Sequence, residues 1–142
     1  MNKAATTKKA ATSKAHFQTI EAIRACTADV LSRFQDTPLT RYELGFQMGF
    51  EELGRTLHPA GYDRNHSRSE LIAGLRKPST KACTAHFQTV EAVREYLDVV
   101  FAANKEILSD NRYLYGYEDA HWLLWIYVDP MGIKAAQDYL PR

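Results

Sequence analysis

The chain has 142 residues, of which 45% are hydrophobic and 25% charged, and its formal net charge is +1. These values are typical of one ordinary folded domain, and they argue against an acidic mimic of DNA and, with only Cys26 and Cys83 present, against a disulfide scaffold. We expect reduced thiols and a cytoplasmic protein, because residues 1–15 lack the apolar segment of a secretory signal. We expect no membrane contact, because the longest apolar run, Trp122 to Val128, is far shorter than the about 20 residues that cross a bilayer.

The first half of the chain predicts a tail and two helices. Residues 1–14 carry lysines among Ala, Thr and Ser and no acid, which is typical of a flexible basic tail. From Phe17 to Phe34, apolar side chains recur at spacings of three and four, which predicts an amphipathic helix. Asp36-Thr37-Pro38 predicts the start of a second helix, since a capping side chain precedes a proline in the first turn. Its apolar stripe runs from Tyr42 to Leu57, and Pro59 predicts its end.

A basic connector, residues 62–84, follows this helix. It contains a predicted short helix from Ser69 to Arg76 with apolar side chains on one face. The cations of the connector are Arg64, Arg68, Arg76, Lys77 and Lys81. Together with the tail, this segment concentrates positive charge in a chain whose total charge is near zero.

The second half predicts the same elements again. An amphipathic stripe runs from Phe87 to Leu108, and Ser109-Asp110-Asn111 predicts the start of the next helix before Tyr113. The segment Trp122–Val128 is apolar on all sides and fits either a buried strand or a buried helix. We favour a helix, because its counterpart in the first half has clear helical spacing. A last short helix is predicted at Ile133–Leu140.

The two halves are related by an internal repeat. Residues 15–24 return as residues 85–94 with eight of ten positions identical, the two changes being Ile to Val. The second helices then match at an offset of 71 positions: Tyr42, Gly45, Phe46, Gly49, Phe50, Leu53, Leu57, Pro59 and Gly61 correspond to Tyr113, Gly116, Tyr117, Ala120, His121, Leu124, Val128, Pro130 and Gly132. We therefore expect a tandem duplication of a helix–turn–helix unit, with repeats at 15–70 and 85–142. Residues 15–142 would pack as one compact all-α bundle with approximate two-fold symmetry.

The repeated ten-residue signature keeps polar residues that burial does not explain. Two interpretations are open. In one, the signature is a surface that meets a partner twice, with Arg24 and Arg94 as anchors. In the other, which we favour, the two signature helices pack on each other and Glu21 pairs with Arg24 along the helix. Replacing both arginines with alanine separates the two interpretations, since only the second predicts a loss of stability.

Aromatic residues crowd into the second half, from Tyr113 to Tyr127. Some of them must form the core, and an exposed remainder would have the composition of a protein-binding hot spot. The candidate partner-binding residues are Gln18, Arg24, Gln88, Arg94, Tyr115, Trp122 and Trp125. Homodimer formation through exposed stripes is a further alternative.

No pattern in the chain indicates an enzyme, a cofactor or a metal. The five histidines lie at no recognisable metal-ligand spacing, and there is no Cys-x-x-Cys pair. No phosphate-binding glycine loop is present, because Gly45, Gly49 and Gly54 have the spacing of a helix–helix contact. A Gly-x-Ser-x-Gly elbow is also missing.

The sequence thus favours a non-enzymatic, α-helical protein-interaction module. A small inhibitor of the kind that phages and plasmids carry as accessory proteins, acting on a host protein or nucleoprotein complex, fits this description. The alternative is an accessory protein that binds nucleic acid through its basic tail and connector. The residues for that alternative are Lys8, Lys9, Lys14, Arg64, Arg68, Arg76, Lys77 and Lys81.

Overall fold

The computed structural model describes residues 17–35, 37, 40–77, 87–104 and 111–139. Within these ranges the chain is helical and contains no strand. The helices are α1 (Ile20–Ser32), α2 (Arg41–Leu57), α3 (Arg68–Leu75), α4 (Val90–Asn104), α5 (Arg112–Val128) and α6 (Gly132–Tyr139). The all-α prediction is confirmed, including the helical state of Trp122–Val128. The predicted tail, residues 1–14, lies outside the described residues.

None of the helices in the described ranges combines the length and the apolar character that crossing a membrane requires.

Side-chain caps fix the starts of the helices. Thr19 accepts a hydrogen bond from the amide of Ala22, and Thr89 accepts one from the amide of Ala92, each at 3.1 Å. Asn111 caps α5 by accepting from the amide of Leu114 at 3.1 Å. These three residues have extended backbones or precede the helix directly, and their oxygen atoms satisfy amides that have no partner within the helix.

The predicted start of α2 at Asp36-Thr37-Pro38 is wrong. The helix begins at Arg41, and Thr40 is its cap: the Thr40 hydroxyl accepts from the amide of Glu43 at 3.0 Å and donates to the Glu43 carboxylate at 3.1 Å. The pattern Thr-x-x-Glu, which the sequence also contains, outweighs the proline signal because it satisfies a backbone donor and places a carboxylate in the first turn.

Helices α2 and α5 form the centre of the bundle and run parallel to each other. A methyl group added to Gly45 would overlap the carbonyl oxygen of Tyr113, and one added to Gly116 would overlap that of Tyr42. One turn further along, the same construction on Gly49 would come within 2.7 Å of the Ala120 methyl group. Because the contacts advance in the same direction on both helices, the two axes are parallel. The small residues allow a close backbone approach that larger side chains would prevent.

The remaining helices pack around this pair and complete one core. α1 packs on α2 and α3, whereas α4 and α6 pack on α5. The buried apolar residues are Ile20, Ile23, Ala28, Leu31, Phe50, Leu53, Leu57, Leu71, Leu75, Val90, Val93, Leu97, Ala120, Leu124 and Val128. In the first half, α3 places Leu71 and Leu75 beside Leu31. Among the described helices, α5 alone packs extensively on α4. The outer side of α4 therefore has no cover comparable to the one that α3 gives to α1.

Candidate functional site

The signature arginines hold the carboxyl ends of the two central helices. The Arg24 Nε donates to the carbonyl of Leu57, the last residue of α2, at 2.8 Å. The Arg94 Nε donates to the carbonyl of Val128, the last residue of α5, at 2.6 Å. Carbonyls at the end of a helix have no partner within it and carry the negative end of the helix dipole. A guanidinium satisfies both needs, which gives a structural reason for an arginine at both positions.

The signatures also join the two halves of the chain. Arg24 reaches across with its Nη2, which donates to the carbonyl of Phe87 at 3.3 Å, and the amide of Phe17 donates to the carbonyl of Tyr127 at 2.8 Å. The segment before α4 therefore contacts Arg24 of α1, and the segment before α1 contacts the end of α5. The helices α1 and α4 themselves do not pack extensively on each other, contrary to the favoured interpretation of the signature.

The predicted partner contacts of the signature separate in space. Arg24 is only 1% exposed and offers no surface to a partner. The Arg94 side chain is 27% exposed and lies 3.9 Å from the Glu91 carboxylate. Gln18 and Gln88 are exposed at the helix starts. The structure thus removes Arg24 from any exposed surface, whereas the two glutamines remain accessible.

Aromatic residues of both halves line a groove between α2, α4 and α5, and Trp122 is the member of the Tyr113–Tyr127 cluster that reaches it. Its volume is about 440 Å³, and we call it the Trp122 groove. It is lined by Tyr42, Phe46, Phe101, Glu118, Asp119, Trp122 and Leu123. Trp125 supports it from the side, since its ring meets the ring of Phe101 edge to face at 6.2 Å. Tyr115 is 40% exposed and does not line the groove.

The corresponding surface of the first half carries a polar network, which lines a pocket of about 520 Å³. At the offset of 71, Glu51 takes the place of Trp122. The Glu51 carboxylate is buried and receives the Arg68 guanidinium at 3.2 Å and the Arg55 guanidinium at 3.5 Å. Arg68 also donates to the side chain of Gln47 at 3.3 Å. Since Arg68 is the first residue of α3, this network anchors α3 over the outer face of α2.

The rim of the Trp122 groove is acidic. Burial, with the neighbouring Asp119 as the second cause, raises the pKa of Glu118. The Tyr42 hydroxyl donates to Asp119, and burial together with this hydrogen bond raises the pKa of Tyr42 to about 12. Among the residues that the structure describes, neither Glu118 nor Asp119 forms an ion pair with a cation. The groove therefore combines an apolar floor with two negative charges at its edge.

Six residues that line the groove were not selected from the sequence, namely Tyr42, Phe46, Phe101, Glu118, Asp119 and Leu123. One signal was available. Aligning the halves at the offset of 71 exchanges Glu51 for Trp122 and Glu52 for Leu123, so two adjacent polar positions of the first half become apolar in the second. A change from polar to apolar on the outer face of a helix indicates a new contact surface.

The basic residues of the connector are only partly available to nucleic acid. Arg68 is held by Glu51, and the Arg76 guanidinium lies 3.2 Å from the Asp29 carboxylate. Arg64 and Lys77 are exposed. Lys8, Lys9, Lys14 and Lys81 lie outside the described residues. The described part of the connector thus presents no continuous basic surface.

The histidines serve packing within the described ranges. His121 is 1% exposed, its Nδ1 donates to the carbonyl of Tyr117 at 2.9 Å, and burial lowers its pKa. His58 is also buried and stacks on His66 with ring centres 4.2 Å apart; burial and the neighbouring His66 lower the pKa of His58. No group of three or more His, Cys, Asp or Glu side chains in the described residues could hold a metal ion. His16 and His86 lie outside these ranges.

The chain matches no protein-family model, and no curated protein and no solved structure shows a detectable similarity to it.

Proposed function

We propose that the chain is a non-enzymatic protein-interaction module that binds a partner protein in the Trp122 groove. One observation carries this proposal: the second half places Trp122 in a groove lined by aromatic side chains, whereas the equivalent position of the first half holds Glu51, which is buried and paired with Arg68. Leu123 packs partly on the core, and both Trp122 and Leu123 leave part of their surface accessible in the groove.

A tandem duplication is the second part of the proposal, and matched contacts support it. The arginine that caps α2 and the arginine that caps α5 stand at equivalent positions of the repeat, as do the carbonyls that they reach. Gly45 approaches Tyr113 while Gly116 approaches Tyr42, which is the reciprocal contact expected from an approximate two-fold axis between α2 and α5. The caps Thr19 and Thr89 make the same hydrogen bond at the same distance.

The chemistry of the groove favours a protein over a small metabolite as the ligand. Its floor consists of large aromatic and aliphatic side chains, and tryptophan and tyrosine are the residues that carry much of the binding energy in protein interfaces. Trp125 lies beside this floor through its contact with Phe101, whereas Tyr115, Gln18 and Gln88 are exposed outside the groove lining.

The wider biological proposal is a cytoplasmic accessory inhibitor of the kind that mobile genetic elements carry. Such a protein acts by occupying the contact surface of a host protein or nucleoprotein complex, which requires a rigid surface and no catalytic group. The central α2–α5 pair supplies this rigidity, since its backbones are in direct contact.

A pull-down from native-host extract, with nuclease treatment and a salt wash, tests the proposal when the wild type is compared with three variants. Trp122→Gln removes one aromatic ring from the groove, Leu123→Gln removes an aliphatic side chain from it, and Tyr62→Gln alters an exposed aromatic residue outside it. Circular dichroism and thermal melting first establish that each variant is folded. We expect a stoichiometric protein that is retained by the wild type and by Tyr62→Gln and is lost or weakened with both groove variants.

Two results would contradict the proposal. A partner that folded groove variants retain as well as the wild type does would place the interface elsewhere. Nucleic acid that is lost on the salt wash, with no protein left behind, would instead favour the basic tail and connector, since phosphate contacts weaken steeply with ionic strength.

A further inference from the structure

We infer that the Trp122 groove recognises a basic amphipathic helix, whose apolar side chains enter the groove while lysine or arginine residues beside them meet Glu118 and Asp119. This inference rests on the proposed function and specifies the chemistry of the partner. It follows from the floor of the groove, from its rim and from the elements that bound it.

The floor requires apolar anchors on the partner. Phe101, Trp122 and Leu123 present partly exposed apolar surface in a single concavity, and its volume of about 440 Å³ exceeds that of one side chain. Several side chains on one face of a helix, at spacings of three and four residues, fill a groove of this kind. Apolar side chains that bind there remove apolar surface from water, which is favourable.

The rim requires positive charge on the partner. Glu118 and Asp119 are adjacent in sequence, both line the groove, and the partial burial of Glu118 makes its negative charge costly without a partner. The Tyr42 hydroxyl occupies one oxygen of Asp119, which leaves the other oxygen able to accept from a ligand. A lysine or arginine beside an apolar anchor would therefore be stabilised, whereas an acidic residue would be repelled.

The surroundings of the groove favour a helix over an extended peptide. An extended peptide typically gains affinity by adding a strand to the edge of a sheet. The described ranges contain no strand, and helices α2, α4 and α5 form the walls of the groove. A partner helix can lie between such walls as a further member of the bundle.

Two other occupants are outcomes of the test. The tail of this chain carries lysines, but residues 1–16 contain no aromatic ring of Phe, Tyr or Trp and no Leu, Ile or Val, so it offers no comparable anchor. A second copy of the chain would have to bring such a helix from its own surface.

The test uses two synthetic peptides of about 18 residues, long enough to form five helical turns. Both peptides carry the same stripe of leucine and tryptophan; one has lysine on its polar positions and the other glutamate. Fluorescence anisotropy with each labelled peptide measures binding to the wild type at low and moderate ionic strength. The variant Glu118→Gln with Asp119→Asn removes the rim charge and keeps the size of both side chains.

The matched control is Glu95→Gln with Asp98→Asn, which changes the net charge equally on the exposed side of α4. We expect the lysine peptide to bind the wild type and the control equally, and the rim variant about threefold to tenfold more weakly at low salt. The glutamate peptide is expected not to bind.

Different failures point to different conclusions. If the glutamate peptide binds as well as the lysine peptide and Trp122→Gln abolishes binding of both, the groove binds helices but the inferred charge is wrong. If the rim and control variants weaken binding equally, the effect is one of net charge and the inference is overturned. If neither peptide binds while the protein sediments as a dimer that Trp122→Gln dissociates, the groove is occupied by a second copy of the chain. If neither binds and the protein is monomeric, the inferred ligand is excluded, and the pull-down decides separately whether the groove binds a protein at all.

Discussion

The first and second halves of the molecule, residues 17–77 and 87–139, share their internal contacts and differ in what lies outside them. In both, an arginine caps the carboxyl end of the central helix, and a glycine allows the other half to approach closely. On the outer face, the first half places Glu51 under Arg68 and α3, whereas the second half places Trp122 in an open groove. The comparison shows that contacts between the halves restrict which residues fit there, whereas residues on the outer faces can differ and form a binding surface.

The physical reason is that the two environments differ in how well they accommodate substitutions. At the α2–α5 crossing the two backbones touch, so no side chain larger than hydrogen fits at Gly45 or Gly116. At exposed positions of the outer faces, a substitution exchanges contacts with solvent for contacts with a neighbour and costs little. We therefore expect substitutions in the shared contacts to have much larger effects than substitutions in the outer faces.

The largest effect is expected from Gly45→Ala or Gly116→Ala. In each variant a methyl group meets a backbone carbonyl of the other central helix, so the helices must separate. We expect a loss of at least about 3 kcal/mol in the free energy of unfolding, measured by urea denaturation.

Gly54→Ala is the matched control for this experiment. Its methyl group would lie 3.2 Å from the Leu31 Cδ1 and 3.4 Å from the Leu75 Cδ1, and these side-chain tips can move. The gain in helix propensity, about 1 kcal/mol, then offsets the crowding, and the net change should stay within about 1 kcal/mol of zero. Equal losses in all three variants would contradict the close crossing of α2 and α5.

The next largest effect is expected from replacing the two signature arginines, and it should differ between them. Arg24→Met and Arg94→Met keep most of the apolar stem and remove the donor to the helix carbonyl. Arg24 is buried and makes a second hydrogen bond to Phe87, whereas Arg94 is partly exposed. We expect a loss of about 2–4 kcal/mol for Arg24→Met and about 1–2 kcal/mol for Arg94→Met in thermal and urea denaturation.

This pair of variants also tests the role of the signature. If the arginines act as caps, a folded Arg94→Met protein should bind the lysine peptide like the wild type, because Arg94 does not line the groove. Unchanged stability with lost binding would return the signature to the role of a partner surface.

The sequence predicted the helices better than it predicted the site, for reasons that particular residues show. Helical periodicity and proline breakers depend on neighbouring residues, so the helical state of Trp122–Val128 and the end of α2 before Pro59 could be predicted. The cap at Thr40 was missed because two capping patterns lie four residues apart and only the folded chain shows which one the helix uses. The burial of Arg24 could not be predicted, since it depends on the distant carbonyl of Leu57.

The groove could not be predicted for a similar reason. Its residues come from three helices, and periodicity does not tell which helix covers which face. Trp122 was selected because of its type, but its neighbours Phe101 and Tyr42 lie on other elements. The repeat held the one local clue, the exchange of Glu51 for Trp122.

The smallest expected effect concerns a difference between the halves inside the core, where His121 occupies the position that Phe50 has in the first half. Phe50 stacks on Phe46 at 5.2 Å, and His121 lies against Tyr117 at 4.9 Å, so the two rings have similar places. Burial lowers the pKa of His121, which means that the folded state takes up a proton less readily than the unfolded state, whose histidine has a pKa of about 6.5. The contribution of His121 to stability is therefore full above about pH 7. It decreases as the pH falls below 6.5, and it stops decreasing once the pH lies below the pKa of His121 in the folded state.

Urea denaturation of the wild type and of His121→Phe at pH 7.5 and pH 5.5 measures this difference. We expect the wild type to lose stability on acidification by at most about 1.4 kcal/mol per pH unit for each histidine that titrates, and His121→Phe to lose less. His58→Gln should reduce the loss in the same direction, because the pKa of His58 is also lowered, and the double variant should lose least. The raised pKa of Glu118 works in the opposite sense, so the decisive quantity is the difference between variant and wild type at each pH. If His121→Phe keeps the full acid sensitivity of the wild type, His121 takes up a proton as easily in the folded core as in the unfolded chain. Burial would then not distinguish the charge of His121 from that of an exposed histidine.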